Sequence, residues 1–162
     1  MDGTLRNMAS IYITSKDKML MLYRVGSRVV APSWCGIGGH FEKDELNDAK
    51  AAVLRELYEE ISIKESDIAN ITLKYVTLRY KNNEIRQNYY FFAELCDNVI
   101  VQDYCNEGHL EWVDLNCVLD KEMPYTAKYM LNHYMEIGKN TNFAYCGIAK
   151  KDGVLFEKLE EF

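Results

Sequence analysis

The chain has 162 residues, of which 48% are hydrophobic and 27% charged, so it is long enough for one domain with a sizeable core. Its formal net charge is −6 and its pI is near 5.1, which argues against nucleic acid or an anionic membrane as the main partner, because both attract basic surfaces. The five cysteines are scattered without a Cys-x-x-Cys pair, which is typical of free thiols in a reducing compartment. No apolar run is long enough for a signal peptide or a membrane span, so we expect a cytoplasmic protein.

The first part of the chain has strand-like patterns followed by a helix. Residues 8–15 and 19–25 flank a polar Lys-Asp-Lys turn and predict a β-hairpin, and residues 34–41 (WCGIGGHF) indicate a short extended segment. From about residue 47 to residue 61 the period becomes helical, and Asn47 or Asp48 is expected to cap the N-terminus.

The second part repeats this order. The predicted elements are a hairpin at 71–80 and 85–95, a short strand at 109–115, a helix over 127–137, and a closing hairpin at 143–149 and 153–159. No linker, repeat or low-complexity tract interrupts them. We therefore predict a single domain over residues 1–162, with an α+β fold in which helices cover a mixed sheet.

The first predicted helix has an unusual distribution of charge. Projected at about 100° per residue, it has two stripes on nearly opposite sides, an apolar one of Leu54, Leu57 and Ile61 and an acidic one of Glu56, Glu59 and Glu60. Carboxylates repel one another at this spacing and oppose the dipole at the helix C-terminus by up to about 1 kcal/mol each. A bound divalent cation would reverse both effects, and the alternative is a solvated acidic face.

The residues around this stripe resemble the Nudix box. That pattern is G, five residues, E, seven residues, REU, one residue, EE, one residue and GU, where U is apolar. The chain supplies Gly39, then Glu45 after five residues, and the whole REUxEE core as RELYEE at 55–60. The box spans about residues 39–63, and strands flank it as they do in that family. The resemblance implies the Nudix fold, an α/β/α sandwich with a mixed central sheet.

The chain departs from the box at two points. Nine residues rather than seven separate Glu45 from Arg55, so the loop before the helix is two residues longer than in the pattern. Ser62 stands where the family usually has glycine, so the helix either ends in a left-handed residue or ends differently.

The resemblance also implies a chemistry. Nudix enzymes hydrolyse a nucleoside diphosphate linked to another moiety with Mg²⁺ or Mn²⁺, and the cation activates a water molecule. Carried onto this chain, the metal ligands are Glu56, Glu59, Glu60 and the carbonyl of Gly39, and one glutamate serves as general base. Arg55 orients the catalytic loop by pairing with Glu45. Among later loop carboxylates Glu107 is the candidate further ligand, with Glu84 as a weaker one.

Candidate substrate contacts follow from the same resemblance. Arg24 and Arg28 are candidates for phosphate contacts, and His40 for the phosphates or for capping the loop. The WCGIGG run, which includes Gly38 and Gly39, resembles the WxGxGG run of MutT-like enzymes that hydrolyse oxidised purine nucleoside triphosphates. In that branch Cys35 and Tyr125 occupy positions that read or stack on the base. Cys35 cannot make the paired hydrogen bonds of the asparagine found there in mammalian members.

Several alternatives stay open. A nucleoside triphosphate, with or without an oxidised base, is the first choice of substrate, and ADP-ribose, a dinucleoside polyphosphate or another nucleotide conjugate comes next. A non-catalytic nucleotide sensor on the same fold and an isopentenyl diphosphate isomerase are the competing classes of protein. Many Nudix proteins form homodimers, and the sequence does not decide between a monomer and a homodimer.

Overall fold

The computed structural model describes residues 3–25 and 31–161, and in these residues it contains ten strands and two α-helices. The strands are β1 Thr4–Ser15, β2 Lys18–Arg24, β3 Ser33–Cys35, β4 Ile37–His40, β5 Ile68–Lys81, β6 Glu84–Leu95, β7 Tyr104–Cys105, β8 Gly108–Asp114, β9 Tyr145–Lys150 and β10 Gly153–Lys158, and the helices are α1 Ala49–Ile61 and α2 Tyr125–Glu136. Every strand and helix predicted from the sequence is present. Short 3₁₀ turns at residues 43–45, 65–67, 115–120 and 138–140 complete the described chain.

The strands form one mixed sheet in the order β10-β9-β5-β6-β1-β2-β8-β7, with β3 paired to β2 and β4 paired to β1. The three predicted hairpins β1–β2, β5–β6 and β9–β10 are antiparallel, whereas β1–β6 and β5–β9 are parallel. Strand β1 is central, since it pairs with β2, β4 and β6.

Alternation of side chains along the central strands produces a core on each face of the sheet. On β1, Ala9, Ile11 and Ile13 belong to a core that includes Leu57 of α1. Tyr12 points to the other face, where it joins a second core with residues of α2. The architecture is thus an α/β/α sandwich, as the resemblance implied.

Helix α1 begins and ends as the sequence suggested. The carboxylate of Asp48 accepts a hydrogen bond of 2.9 Å from the amide of Ala51, so Asp48 is the N-cap. Leu57 and Ile61 are buried, and Leu54 packs against the same core. At the other end Ser62 takes the left-handed conformation, with φ 59° and ψ 20°, and its amide donates to the carbonyl of Tyr58.

The remaining features agree with the composition. All five cysteines are free thiols. In residues 3–25 and 31–161, no helix is both long enough and apolar enough to cross a membrane.

Candidate functional site

The acidic stripe of α1 lies against the two glycines at the end of β4. Gly38 has φ +147°, and a Cβ atom there would stand 2.0 Å from the carbonyl oxygen of Ala9, so no other residue fits. A Cβ on Gly39 would stand 2.5 Å from a carboxylate oxygen of Glu56. The double glycine therefore allows the backbone of β4 to approach both β1 and the carboxylates of α1.

The three glutamates of the stripe differ in their exposure. The side chain of Glu60 is 7% exposed and that of Glu56 14%, whereas that of Glu59 is 57% exposed. A solvated acidic face would expose all three. That alternative is therefore wrong for Glu56 and Glu60, which turn inward beside β4, and it describes only Glu59.

Arg24, at the end of β2, connects the inward carboxylates to a later loop. Its Nη2 atom lies 3.0 Å from Glu60, 2.5 Å from Glu107 and 2.7 Å from the carbonyl oxygen of Gly38. The amide of Val25 donates to the carbonyl of Glu107, which fixes the loop beside β2. Glu107, the further carboxylate suggested by the sequence, thus lies with Glu60 around one cationic group.

Burial makes the charged form of these carboxylates unfavourable. It raises the pKa of Glu60 to about 8, and the nearby carboxylates of Glu107 and Glu56 act in the same direction against Arg24. Burial also raises the pKa of Glu56, although Arg55 opposes the shift. Glu60 has one further sign of an incomplete environment, because its Oε2 atom is buried without a hydrogen-bond partner among the described residues.

Arg55 fixes the opposite side of the stripe. Its Nε and Nη2 atoms donate to the two carboxylate oxygens of Glu45 at 2.7 and 3.0 Å. Nη1 donates to Glu56 and Glu59, both at 3.0 Å, and Nη2 also donates to the carbonyl of His40 at 3.0 Å. One guanidinium group thereby joins the loop, the end of β4 and two glutamates of the box.

The longer loop does not prevent this contact. Residues 43–45 form a 3₁₀ turn, and the backbone amide of Glu42 donates to the carboxylate of Glu45 at 2.9 Å. The side chain of Glu45 is only 10% exposed, and the hydrogen bonds from Arg55 lower its pKa. The turn absorbs the additional length, so Glu45 reaches Arg55 although the spacing departs from the pattern.

Two residues near the glycines have shifted pKa values. Burial lowers the pKa of His40, and the charges of Arg6, Arg86 and Arg24 lower it further. Burial raises the pKa of the Cys35 thiol to about 11, and its Sγ atom donates to the carbonyl of Leu22 at 3.6 Å. Cys35 is therefore a neutral thiol in the cavity wall at neutral pH.

A cavity of about 210 Å³ opens beside these groups, between the sheet and the start of α2. Arg24, Cys35 and Gly38 line it, so three of the predicted substrate contacts share one space. Tyr125 lines an adjoining cavity, where its hydroxyl donates to the carbonyl of Lys150 at 2.9 Å.

Two predicted residues are not brought into this group. Glu84, the weaker metal candidate, pairs with Arg6 and Arg86 on the sheet instead. Arg28 lies outside the described residues.

The oxygen atoms around Arg24 have the chemistry of a divalent metal site. In the described part of the chain, no three acidic, histidine or cysteine side chains form a ready-made metal-binding group. Nevertheless, the Arg24 guanidinium occupies a point to which Glu60, Glu107 and the Gly38 carbonyl all direct oxygen atoms. Such an oxygen-only set, with a buried unpaired oxygen on Glu60, has the chemistry that hard cations such as Mg²⁺ prefer.

Reasoning from the sequence missed one set of residues. Arg6, Arg79 and Arg86 line the cavities, yet nothing in the box points to them. They lie on three different strands, and only the pairing of those strands brings them together. Arg79 and Arg86 fall within the predicted hairpin of residues 71–80 and 85–95, but the pairing of Arg6 with this hairpin depends on the order of strands in the sheet, which the sequence did not predict.

Comparison with known proteins agrees with the fold and with the box. A profile described as the NUDIX domain matches residues 4–134. A MutT protein from Bacillus halodurans is 21% identical over 96% of this chain and 95% of its own length, with a TM-score of 0.63. A NUDIX hydrolase from Nitrosomonas europaea is 17% identical over 91% and 80%, with a TM-score of 0.71. An Ap4A hydrolase from C. elegans is 17% identical over 85% and 99%, with a TM-score of 0.64.

Proposed function

We propose that this chain, which belongs to the NUDIX domain family and is a hydrolase of pyrophosphate bonds, cleaves a nucleoside diphosphate linked to another moiety with the help of Mg²⁺ or Mn²⁺. The first candidate substrate is a nucleoside triphosphate, with or without an oxidised base, cleaved to the monophosphate and pyrophosphate. Similarity to MutT proteins supports this choice, and similarity to an Ap4A hydrolase supports a dinucleoside polyphosphate as the alternative.

One observation carries the proposal. The carboxylates of Glu60 and Glu107 and the carbonyl of Gly38 surround a single cationic group at 2.5–3.0 Å, at the mouth of a cavity of about 210 Å³. The Glu60 side chain is only 7% exposed, and a buried carboxylate needs a cation to balance it. A substrate that carries its own charge-compensating metal ion suits this arrangement.

The acidic residues of the site would share the role of binding metal. Glu56, Glu59, Glu60 and Glu107, with the backbone carbonyl of Gly39, would hold the metal ions. A divalent ion bound there neutralises phosphate charge and acidifies a water molecule.

The two arginines of the site do not bind the metal. Arg24, which lines the cavity, would be placed to donate to a phosphate oxygen of the substrate. Arg55 keeps Glu56 and Glu59 aligned through its bonds to Glu45 and His40.

The sequence alone left two other classes of protein open. A non-catalytic nucleotide sensor would keep the cavity but lose turnover, and its degenerate box would lack glutamates that this chain retains. An isopentenyl diphosphate isomerase would depend on a catalytic cysteine. Burial raises the pKa of the cavity thiol of Cys35 to about 11, which does not favour that reading.

The test of function is a screen of substrates with released phosphate or pyrophosphate as the signal. The wild type, Glu60→Gln and Glu157→Gln are incubated with Mg²⁺ and nucleoside triphosphates, 8-oxo-dGTP, ADP-ribose and dinucleoside polyphosphates. We expect Glu60→Gln to lower kcat/KM at least about a hundredfold, because a metal ligand contributes several kcal/mol. Glu157, which is exposed on β10, is the control and should leave the rate unchanged. If no compound is hydrolysed by the wild type, the catalytic proposal fails and the sensor is favoured.

Metal binding can be measured without activity. A ligand that binds only the folded state stabilises it, by about 2.7 kcal/mol at a hundred times its Kd. Mg²⁺ or Mn²⁺ should therefore raise the melting temperature of the wild type and of Glu157→Gln but not that of Glu60→Gln. An equal rise in all three proteins would place the metal elsewhere.

The setting of the enzyme is also part of the proposal. Five free thiols support a cytoplasmic site of action, where such thiols stay reduced. Light scattering on the purified protein would decide between a monomer and a homodimer.

A further inference from the structure

Three arginines stand side by side on one face of the sheet. Arg6 of β1 is opposite Arg86 of β6, and Arg86 is opposite Arg79 of β5. Residues that face each other on neighbouring strands present their side chains on the same side, with Cβ atoms about 5 Å apart. We call these residues the arginine row.

The stability of the fold does not explain why the arginines of the row lie opposite each other. Like charges directly opposite each other on a sheet are destabilising, by up to about 1 kcal/mol per pair. The protein as a whole has a net charge of −6, so positive side chains are in the minority and could have been spaced apart. Their concentration on three adjacent strands therefore points to an external anion.

Glu84 neutralises only part of this charge. Its carboxylate lies 2.5 Å from Nε of Arg6 and also contacts Arg86. The guanidinium group of Arg79 lies 5.1 Å from the centre of the Tyr125 ring and has no carboxylate partner among the described residues. One carboxylate, that of Glu84, is therefore the only one that the described residues place against the three guanidinium groups of the row.

The arginine row lines two adjoining cavities, of about 210 and 480 Å³. The larger one has Lys81 and Glu84 in its wall as well, so among the described residues of that wall four cations face one carboxylate. The described wall of the smaller one contains Arg24 and no carboxylate. The start of α2, at Tyr125 and Thr126, contributes the positive end of a helix dipole to the same space.

The arginine row is separated from the box carboxylates along β1. Ala9 is opposite Gly39 of β4, which lies against Glu56, and Arg6 precedes Ala9 by three residues. At about 3.3 Å per residue, the backbone positions of Arg6 and Ala9 are about 10 Å apart. Because the smaller cavity is lined by Gly38 and by the arginine row, one bound molecule can reach both.

We propose that the arginine row binds a phosphate group of the substrate that is distinct from the scissile pyrophosphate. The inference rests on the proposed function and narrows its substrate class to compounds in which the moiety beyond the cleaved bond carries a further phosphate. A guanidinium group binds phosphate through two parallel hydrogen bonds, so three guanidinium groups on one surface suit an anion with several phosphate oxygens. The further phosphate is either part of a longer polyphosphate chain or a phosphomonoester on a sugar.

The first test measures binding alone. Inorganic tripolyphosphate is titrated calorimetrically into the wild type, Arg79→Gln, Arg86→Gln and Lys18→Gln in EDTA at low salt, so that no metal ion takes part. We expect each arginine variant to bind at least about tenfold more weakly, a change of about 1.4 kcal/mol. Lys18 is exposed at the start of β2, at the opposite end of that strand from Arg24, and it lies outside both cavities. Lys18→Gln should therefore bind tripolyphosphate like the wild type.

Thermal melts establish that each variant is folded, and Arg79→Gln leaves both ion pairs of Glu84 intact. Equal affinities of the wild type, Arg79→Gln and Arg86→Gln would overturn the proposal. So would the absence of binding to the wild type.

The second test identifies the source of the phosphate by its effect on hydrolysis. Hydrolysis of two pairs of compounds is measured in the presence of Mg²⁺. The first pair is ADP-ribose and ADP-ribose 2′-phosphate, and the second pair is diadenosine triphosphate and diadenosine tetraphosphate. We expect the wild type to favour the phosphate-richer member of one pair at least about tenfold in kcat/KM, and Arg79→Gln to lose that preference. A preference in the first pair indicates a phosphomonoester, and one in the second pair a longer chain.

The two proposals can fail separately. Equal hydrolysis of both members of each pair by the wild type and Arg79→Gln would overturn the role of the arginine row while the proposed function stands. If nothing is hydrolysed but tripolyphosphate binding depends on Arg79 and Arg86, the proposed function fails and the anion site stands.

Discussion

At the scale of single residues, Arg55 determines how the carboxylates of the site are held. Its Nε and Nη2 atoms form a paired contact with Glu45, and its remaining donors reach Glu56, Glu59 and a backbone carbonyl. The guanidinium group is planar with donors in a fixed fork, whereas a lysine ammonium is a compact charge on a flexible stem. The site therefore depends on the shape of this side chain as well as on its charge.

The Arg55–Glu45 pair gives the first prediction at this scale. Glu45→Gln removes the charge from a nearly buried carboxylate and leaves Arg55 with a poorer partner, so we expect the free energy of unfolding to fall by about 1–3 kcal/mol. Arg55→Lys should lower kcat more than it raises KM, because it disturbs alignment rather than substrate contact. Urea denaturation and steady-state kinetics measure the two effects. A stability of Glu45→Gln within about 0.5 kcal/mol of the wild type would contradict the first expectation.

A motif gives the position of some candidate residues directly. The RELYEE core indicated Arg55 and the three glutamates, and the structure places Glu56 of this core against Gly39. The arginine row gave no such signal, since its members belong to no motif and Arg6 is far in the chain from Arg79 and Arg86. Their proximity is a property of strand order and register, which long-range pairing determines.

At the scale of elements, α1 combines a regular start with an irregular end. Asp48, one of the two N-caps that the sequence allowed, caps the N-terminus by a side-chain hydrogen bond. At the C-terminus the sequence left two outcomes open, and Ser62 takes the left-handed one with φ 59°. An L-residue with a side chain pays about 1 kcal/mol for this conformation, which glycine adopts freely.

Ser62→Gly should therefore stabilise the protein, by about 0.5–1 kcal/mol in the free energy of unfolding. Ser62 is exposed, so no packing is lost with its side chain. Ser66→Gly is the matched control, because Ser66 is also exposed but does not have a positive φ. The same substitution there should be neutral or destabilising, since glycine increases the entropy of the unfolded chain. Denaturant midpoints measured side by side would contradict the interpretation if Ser62→Gly were the less stable of the two.

At the scale of the whole molecule, the sequence predicted the layers better than the site between them. Alternating apolar residues in β1, β2 and β6 face two different cores, and this periodicity is sufficient to place a helix on each side of the sheet. The cavity depends instead on how α2 meets the ends of β1, β5 and β6. Hydrophobic period contains no information about that junction, so the arginines of β1, β5 and β6 in its wall emerged only from the assembled fold.

The packing of α2 on the far half of the sheet gives the last prediction, on the pH dependence of stability. His133 of α2 forms a hydrogen bond of 2.8 Å through Nδ1 to the hydroxyl of Tyr75 on β5, and its ring packs against Tyr145 of β9 and Phe156 of β10. Burial lowers the pKa of His133, and nearby Glu136 opposes the shift only in part. The neutral imidazole is thus the form that this junction accommodates.

The sign of the effect follows from the two states. The unfolded chain takes up a proton on this histidine near its ordinary pKa of about 6.5, whereas the folded protein takes it up only at a lower pH. The contribution to stability is therefore fully present above about pH 6.5 and is lost progressively as the pH falls below it. We expect His133→Gln to reduce the difference in the free energy of unfolding between about pH 7.5 and about pH 5.5. Urea titrations at the two pH values measure the free energy of unfolding of both proteins. If its pH dependence were identical in His133→Gln and the wild type, groups other than His133 would cause the loss of stability at low pH.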